Sequence, residues 1–192
     1  MNRRRLTVAG LLGLSLGLAA CSPKESAAPA APKRSPSVEI VAAEGRGLTV
    51  GAMMSTQAVY VLFDTQCPHC ARLWEASVPL QKKAKFIWIP IGLLNAASSA
   101  QGAALLAAAD PAQAMAEHEK SMLAGQGGIS APSSLPAELQ EALKSNTRLF
   151  NNLGLESVPF TITRNARSGM TVSRSGSMDT ATLAELIGVD AP

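Results

Sequence analysis

Cys67-Pro68-His69-Cys70 follows directly on the apolar run Val59-Tyr60-Val61-Leu62-Phe63, and this junction constrains the chain more than any other feature. The run is rich in β-branched and aromatic residues and reads as a buried central strand over Ala58–Phe63. Two cysteines two residues apart, at the point where that strand gives way to a helix, suit a reversible disulfide. The helix N-terminus sets its amides and positive dipole end against the Cys67 sulfur, which favours thiolate over thiol. The thiolate is the attacking species in disulfide exchange. Cys70 lies about one turn further on, placed to resolve a mixed disulfide. Pro68 fits the first helical turn, where no backbone N–H is missed. His69 adds an imidazole that can carry positive charge beside the thiolate and tune it.

A zinc site would need four nitrogen or sulfur ligands, or three and a water. The chain has two histidines, and His69 is held between the cysteines while His118 lies far along the sequence. The ligand count therefore argues against metal. A static structural disulfide is disfavoured by the helix N-terminus, which makes such a bond easily reduced. A redox-active Cys67–Cys70 pair needing no other cofactor is the reading that remains.

The first twenty residues read as a targeting segment. Arg3, Arg4 and Arg5 form a basic start, and Leu6–Leu18 is an apolar run too short to span a bilayer comfortably. It closes on Leu18-Ala19-Ala20-Cys21, which resembles the bacterial lipoprotein signal, implying cleavage before Cys21 and lipid on its sulfur. Ser22 follows rather than Asp, and the resemblance then implies the outer membrane. Cleavage would remove three of 17 basic residues and leave 14 against 14 acidic ones. The formal charge of +3 is thus no sign of nucleic-acid binding. With Cys21 lipidated, the remaining two of the three cysteines are the CxxC pair, suited to an oxidising exported compartment. Residues 21–37, rich in Ala, Pro and Ser, read as a lipidated tether. Residues 38–192 are one domain's worth of chain.

Within that domain, Val38–Ala42 and Leu48–Val50 read as short strands. A helix is expected from about Cys67 to Lys83, with Pro79 forcing a kink or an early end. Phe86–Ile91 reads as a strand parallel to the first. Ala96–Ala109 should be helical, and Asp110-Pro111 should cap and open a helix to about Leu123. After a Gly/Pro/Ser loop, Pro136–Leu153 reads as a helix stopped by Gly154. Pro159–Thr163 and Met170–Arg174 should form a hairpin, and a last helix should run from a cap at Asp179 to Ile187. On this reading His118, among Glu117, Glu119 and Lys120, is a surface residue. The order of elements is that of an α/β domain, a mixed sheet with helices on both faces.

At this level the sequence resembles the thioredoxin-fold disulfide enzymes of the Dsb group, nearest to the catalytic domain of the DsbC/DsbG-like isomerases. The resemblance is carried by Val59–Asp64 running into Cys67-Pro68-His69-Cys70, by Ala107–Ala112 with Glu117-His118-Glu119, and by Ser157-Val158-Pro159 entering a strand. It implies a thioredoxin-like fold with a helical insertion, about 96–153, between the βαβ and ββα halves. It also implies a cis peptide at Pro159, with Val158 and Pro159 docking the substrate backbone beside Cys67. The implied activity is periplasmic thiol:disulfide exchange or isomerisation on unfolded or misoxidised exported proteins, coupled to a membrane reductant of the DsbD kind. Pro68-His69 and Val158 resemble the oxidase DsbA instead, which implies a DsbB-like oxidant as partner. A non-enzymatic, chaperone-type binding lipoprotein is the third reading. The dimerisation module of the isomerases has no counterpart here, which implies a monomer.

Overall fold

The computed structural model describes residues 33–192. Its elements are α1 (Val38–Glu44), β1 (Leu48–Gly51), β2 (Ala58–Asp64), α2 (Pro68–Ser77) with a 3-10 turn at Val78–Leu80, β3 (Lys85–Ile91), α3 (Ala96–Leu106), α4 (Pro111–Leu123), α5 (Ala137–Asn152), β4 (Phe160–Arg164), β5 (Thr171–Ser175) and α6 (Thr180–Ile187). The five strands form one sheet in the order β1-β3-β2-β4-β5. β2 and β3 are parallel, in the register Val61 to Trp88, and the other neighbours are antiparallel. α2 is therefore the crossover of a βαβ unit, β4-β5-α6 is a ββα unit, and α3, α4 and α5 fall between them.

β2 is apolar almost throughout because both faces of the sheet are covered. Val59, Val61 and Phe63 enter one core with Phe86 and Trp88 of β3, Cys70, Leu73 and Trp74 of α2, Met115 of α4 and Leu183 and Ile187 of α6. Leu62 and Ile162 enter the other with Ile89 and Ile91, Val41 of α1 and Leu149 and Phe150 of α5. The two-residue period of β2 and β3 thus sends alternate side chains to opposite layers. Trp88 is fully buried, edge-on to both Phe63 and Trp74 with ring centroids 5.4 Å apart in each pair. Trp74 thereby packs the active-site helix α2 against β3.

One expectation fails at the domain's start. Val38–Ala42 belongs to a helix, α1, and not a strand. Its β-branched residues favour strand locally, but the Ser37 hydroxyl caps it by accepting from the Ile40 N–H at 3.2 Å. Val38 and Val41, one turn apart, share the face that packs on the second core. The residues before it are anchored too: the Arg34 N–H donates to the Asn152 carbonyl at 2.8 Å, and its guanidinium meets both Glu44 oxygens at 2.7 Å. The other boundaries follow the punctuation in the sequence. α2 ends two residues before Pro79 and tightens into the 3-10 turn. Asp110 and Asp179 cap α4 and α6 by accepting from Gln113 N and Thr182 N. Gly188 closes α6 at φ 78°, a left-handed turn that glycine adopts without steric cost.

Candidate active site

β2 and β3 run parallel, so their C-terminal ends lie at one edge of the sheet, and Asp64 ends β2 there. Its carboxylate is fully buried and organises that edge. Oδ1 accepts from the Gln66 N–H at 2.8 Å and the Ser98 hydroxyl at 2.7 Å. Oδ2 accepts from the N–H groups of Leu93 and Leu94 at 2.7 and 2.9 Å. The active-site turn, the loop after β3 and the first turn of α3 are held by one side chain. Asp64 thus clamps the turn between β2 and α2.

Cys67 stands at the N-cap of α2 in an extended conformation, with Pro68 in the first turn. Its N–H donates to the Asp64 carbonyl at 3.1 Å, and its own carbonyl accepts from the Cys70 N–H at 2.9 Å. Both cysteines are free thiols; Cys67 is 5% exposed and Cys70 is fully buried. Their acidities diverge. The Cys67 pKa is lowered to about 7, first by the hydrogen bond from the Cys70 thiol and further by the backbone N–H groups of Cys70 and His69, against burial and the Asp64 charge. Burial first, then the bond and charge of Cys67, push Cys70 well above the ordinary thiol value. Two like groups with separated acidities give one sulfur that attacks at neutral pH and one that waits.

Pro68 and His69 are exposed. The His69 backbone N–H faces Cys67, while its Nδ1 takes a hydrogen bond from the Arg72 guanidinium at 3.3 Å. Across the turn, the Val158–Pro159 peptide bond is cis, directly before β4. The Val158 carbonyl lies 3.7 Å from the Cys67 sulfur as an acceptor for its thiol. The fold thus brings together Cys67, Pro68, His69, Cys70, Val158 and Pro159. Cys21, the signal segment and most of the tether lie outside the described residues.

Three polar side chains at this edge were not anticipated. His118 is fully buried, not a surface residue. Its Nε2 donates to the Thr65 carbonyl at 2.8 Å and its Nδ1 accepts from the Ile129 N–H at 3.2 Å, so the neutral ring links the active-site turn to the 125–134 loop. Gly128, at φ 86°, lies against the ring, where a Cβ would fall 2.7 Å from Nδ1. Gln101, nearly buried, donates to the carbonyls of Gly127 and Ile129, both at 2.8 Å, and accepts from Gln66 at 2.6 Å. Glu119 is 1% exposed, and neither carboxyl oxygen has a hydrogen-bond partner among the described residues. A signal existed: Met115, His118 and Glu119 follow the i, i+3, i+4 spacing of a buried helix face, although Glu-His-Glu-Lys reads as solvated by composition.

Burial holds the His118 pKa below 6.5, with the Thr65 carbonyl and the Asp64 charge acting the other way. Its contribution to stability is complete above 6.5 and is lost as pH falls through that value toward the folded one, because the unfolded chain then binds a proton that the folded state refuses. His118→Gln should lower Tm at pH 7.5, and the gap to wild type should narrow by pH 5.5. A gap that stays constant in thermal melts would rule out this titration.

Fold and edge geometry together define a thioredoxin-like protein with a CxxC pair at the strand–helix junction. Among solved structures, a periplasmic thioredoxin-like protein from Salmonella enterica serovar Typhimurium matches with a TM-score of 0.61 at 20% identity, over 80% of this chain and 97% of that one. No family model matches the chain. In sequence it is 30% identical over 141 residues to the thiol:disulfide interchange protein DsbG of Pseudomonas aeruginosa (strain PAO1), 72% of this chain and 54% of that protein. It is also 30% identical over 103 residues to DsbG of Escherichia coli (strain K12), 53% and 41% of the two chains. The chain has a thioredoxin-like fold and is similar in sequence to DsbG, and it spans about half the length of the curated relatives it matches.

Proposed function

We propose that this chain is a periplasmic thiol:disulfide oxidoreductase and isomerase acting on protein disulfides. The observation that carries the reading is the pair of adjacent free thiols with opposed acidities, Cys67 lowered to about 7 and Cys70 raised. The Cys67 thiolate attacks one sulfur of a substrate disulfide, forming a mixed disulfide and releasing the other substrate sulfur as a thiolate. Then either a second substrate thiolate displaces Cys67, which isomerises the substrate, or Cys70 displaces the substrate. In the second case the 67–70 pair is oxidised by two electrons and the substrate is reduced by two.

Val158 and Pro159 dock the substrate backbone beside Cys67, and Pro68 and His69 set thiolate stability. The two sulfurs supply the chemistry without a further cofactor. A DsbD-like reductant would return the pair to the dithiol state, and Cys21 would anchor the chain to the outer membrane by lipid. A dithiol oxidase of DsbA type, re-oxidised by a DsbB-like partner, is the second reading; Pro68-His69 and Val158 favour it.

The reduction potential, measured by glutathione equilibration with Trp74 fluorescence as readout, tests the reading. A value of roughly −120 to −180 mV is expected for a pair whose thiolate is stabilised. A value near about −270 mV or below would overturn it. In addition, the rate of Cys67 alkylation by iodoacetamide should rise with pH to a plateau, with a midpoint close to pH 7, since only the thiolate reacts and its pKa lies at about 7. A midpoint above pH 8 would show that the thiolate is not stabilised.

A further inference from the structure

His118 is a titratable group that the exchange reaction leaves unused. It is fully buried on α4, and its two ring nitrogens bond in opposite senses. Nε2 donates to the Thr65 carbonyl at 2.8 Å, and Nδ1 accepts from the Ile129 N–H at 3.2 Å. Only the neutral ring protonated at Nε2 can make both bonds. An imidazolium would turn an N–H toward the Ile129 N–H, donor facing donor. Thr65 stands two residues before Cys67, and Ile129 packs on the core that contains Cys67 and Cys70. One ring therefore fastens the segment 125–131 to the active-site turn.

The other fastenings of that segment do not titrate. The Gly127 carbonyl accepts from Gln66 at 3.0 Å and from Gln101 at 2.8 Å. The Gly128 carbonyl accepts from the Ser121 hydroxyl at 3.1 Å, and the Ile129 carbonyl from Gln101 at 2.8 Å. Gly128, at φ 86°, lets the backbone close directly onto the imidazole. We infer that segment 125–131 is an acid-released strap: protonation of His118 at Nδ1 breaks its bond to the Ile129 N–H and lifts Ile129 off the core beside Cys67. The bond from Nε2 to Thr65 survives, so the active-site turn keeps its hold on α4 while the strap loosens.

The surroundings set the direction of the switch. Of the elements packed against α4, β1 and α3 carry no titratable side chain. α2 and its cap bring the two thiols, while His69, Arg72 and Glu75 there are exposed. On α4 itself Glu117 and Lys120 are exposed. Glu119 is buried, and burial first, then the Cys67 charge, raise its carboxyl well above the usual range. Residues 125–134 carry no titratable side chain. Asp64 is the anion that favours a proton on His118, and burial outweighs it, holding the ring below 6.5. The strap is therefore fastened at neutral pH and loosens as pH falls below that value.

The test is nuclear magnetic resonance on the reduced full-length chain, labelled with 15N and 13C, from pH 7.5 to 4.5. The imidazole nitrogen shifts report the tautomer and titration of His118. Exchange of the Ile129 amide, corrected for the intrinsic pH dependence of exchange, reports the strap, with the amides of β2 as reference. Ile129 protection should fall at least about tenfold through the pH at which the ring titrates, as expected for a buried donor that loses its acceptor. The Ile129 methyl shifts should move toward unfolded values through the same midpoint, while β2 stays protected. His118→Asn offers an amide oxygen near the place of Nδ1 and cannot take a proton, so its Ile129 protection should stay flat with pH. His118→Gln keeps a donor for Thr65 but no acceptor for Ile129, and should show the loosened strap already at pH 7.5. Ile129 protection that stays within twofold across the range, falls together with that of β2, or falls equally in His118→Asn would overturn the inference. If a variant folds poorly, the wild-type comparison of Ile129 with β2 still decides. The readout is an amide and a ring, so the result is independent of the thiol-exchange reading, which the glutathione potential tests.

Discussion

Cys67→Ala should abolish thiol-dependent turnover, lowering the rate of insulin disulfide reduction on the order of a thousandfold or more, while Cys70→Ala should trap the reaction halfway. The asymmetry follows from the site. Cys67 is the sulfur with a pKa of about 7, at the outer end of α2 and 3.7 Å from the Val158 carbonyl. Cys70 is fully buried and held as a thiol. Without Cys67 there is no stabilised thiolate to attack, and the buried thiol cannot replace it. Without Cys70 the first attack still proceeds, but the mixed disulfide has no internal nucleophile to break it. Non-reducing gels should therefore show covalent adducts with substrate proteins for Cys70→Ala and none for Cys67→Ala. If Cys67→Ala keeps full activity in holding unfolded chains and in any phenotype, the chain is a binding protein whose cysteines are dispensable, and the enzymatic reading fails.

The second large effect is on stability. Asp64→Ala should cost about 3 to 5 kcal/mol in urea unfolding, because it deletes one side chain but deprives four donors. Leu93 N, Leu94 N, Gln66 N and the Ser98 hydroxyl all bond to this fully buried carboxylate. Each buried donor left unpaired costs roughly 1–3 kcal/mol, partly offset where the loosened 92–95 loop lets water in. The variant should also open the active-site edge, seen as hydrogen exchange at Leu93 and Leu94 that speeds up more than exchange within β3. A loss below about 1 kcal/mol would mean that the turn is held by the Thr65, Gln66 and His118 contacts instead.

The βαβ unit was legible because local and global signals agree there. An apolar run of strand length, a proline-opened helix and a second apolar run in succession leave a parallel pair with a crossover as the simple solution. Caps at Asp110 and Asp179 and the stops at Gly154 and Gly188 were equally readable, since capping chemistry acts within a few residues. Val38–Ala42 misled for the converse reason. Over seven residues propensity is weak, and a cap at Ser37 with one packed face outweighs it. His118 and Glu119 misled because hydrophilic composition does not say which side of a helix the neighbouring elements cover.

The sequence by itself determined the chemistry this protein carries: a cysteine pair at a strand–helix junction, with a helix start that favours one thiolate. Those effects run through bonds and contacts within one turn of chain. Tertiary structure alone decided which distant groups complete the site. It brought the Val158 carbonyl to Cys67 across 91 residues, and it ran Thr65, His118 and Ile129 into one hydrogen-bonded line. It also buried Glu119 in the helix packed against the thiols. Burial and long-range pairing are properties of how layers stack. They change the acidity of Cys70, His118 and Glu119 through desolvation, a term that no residue carries in its own sequence neighbourhood.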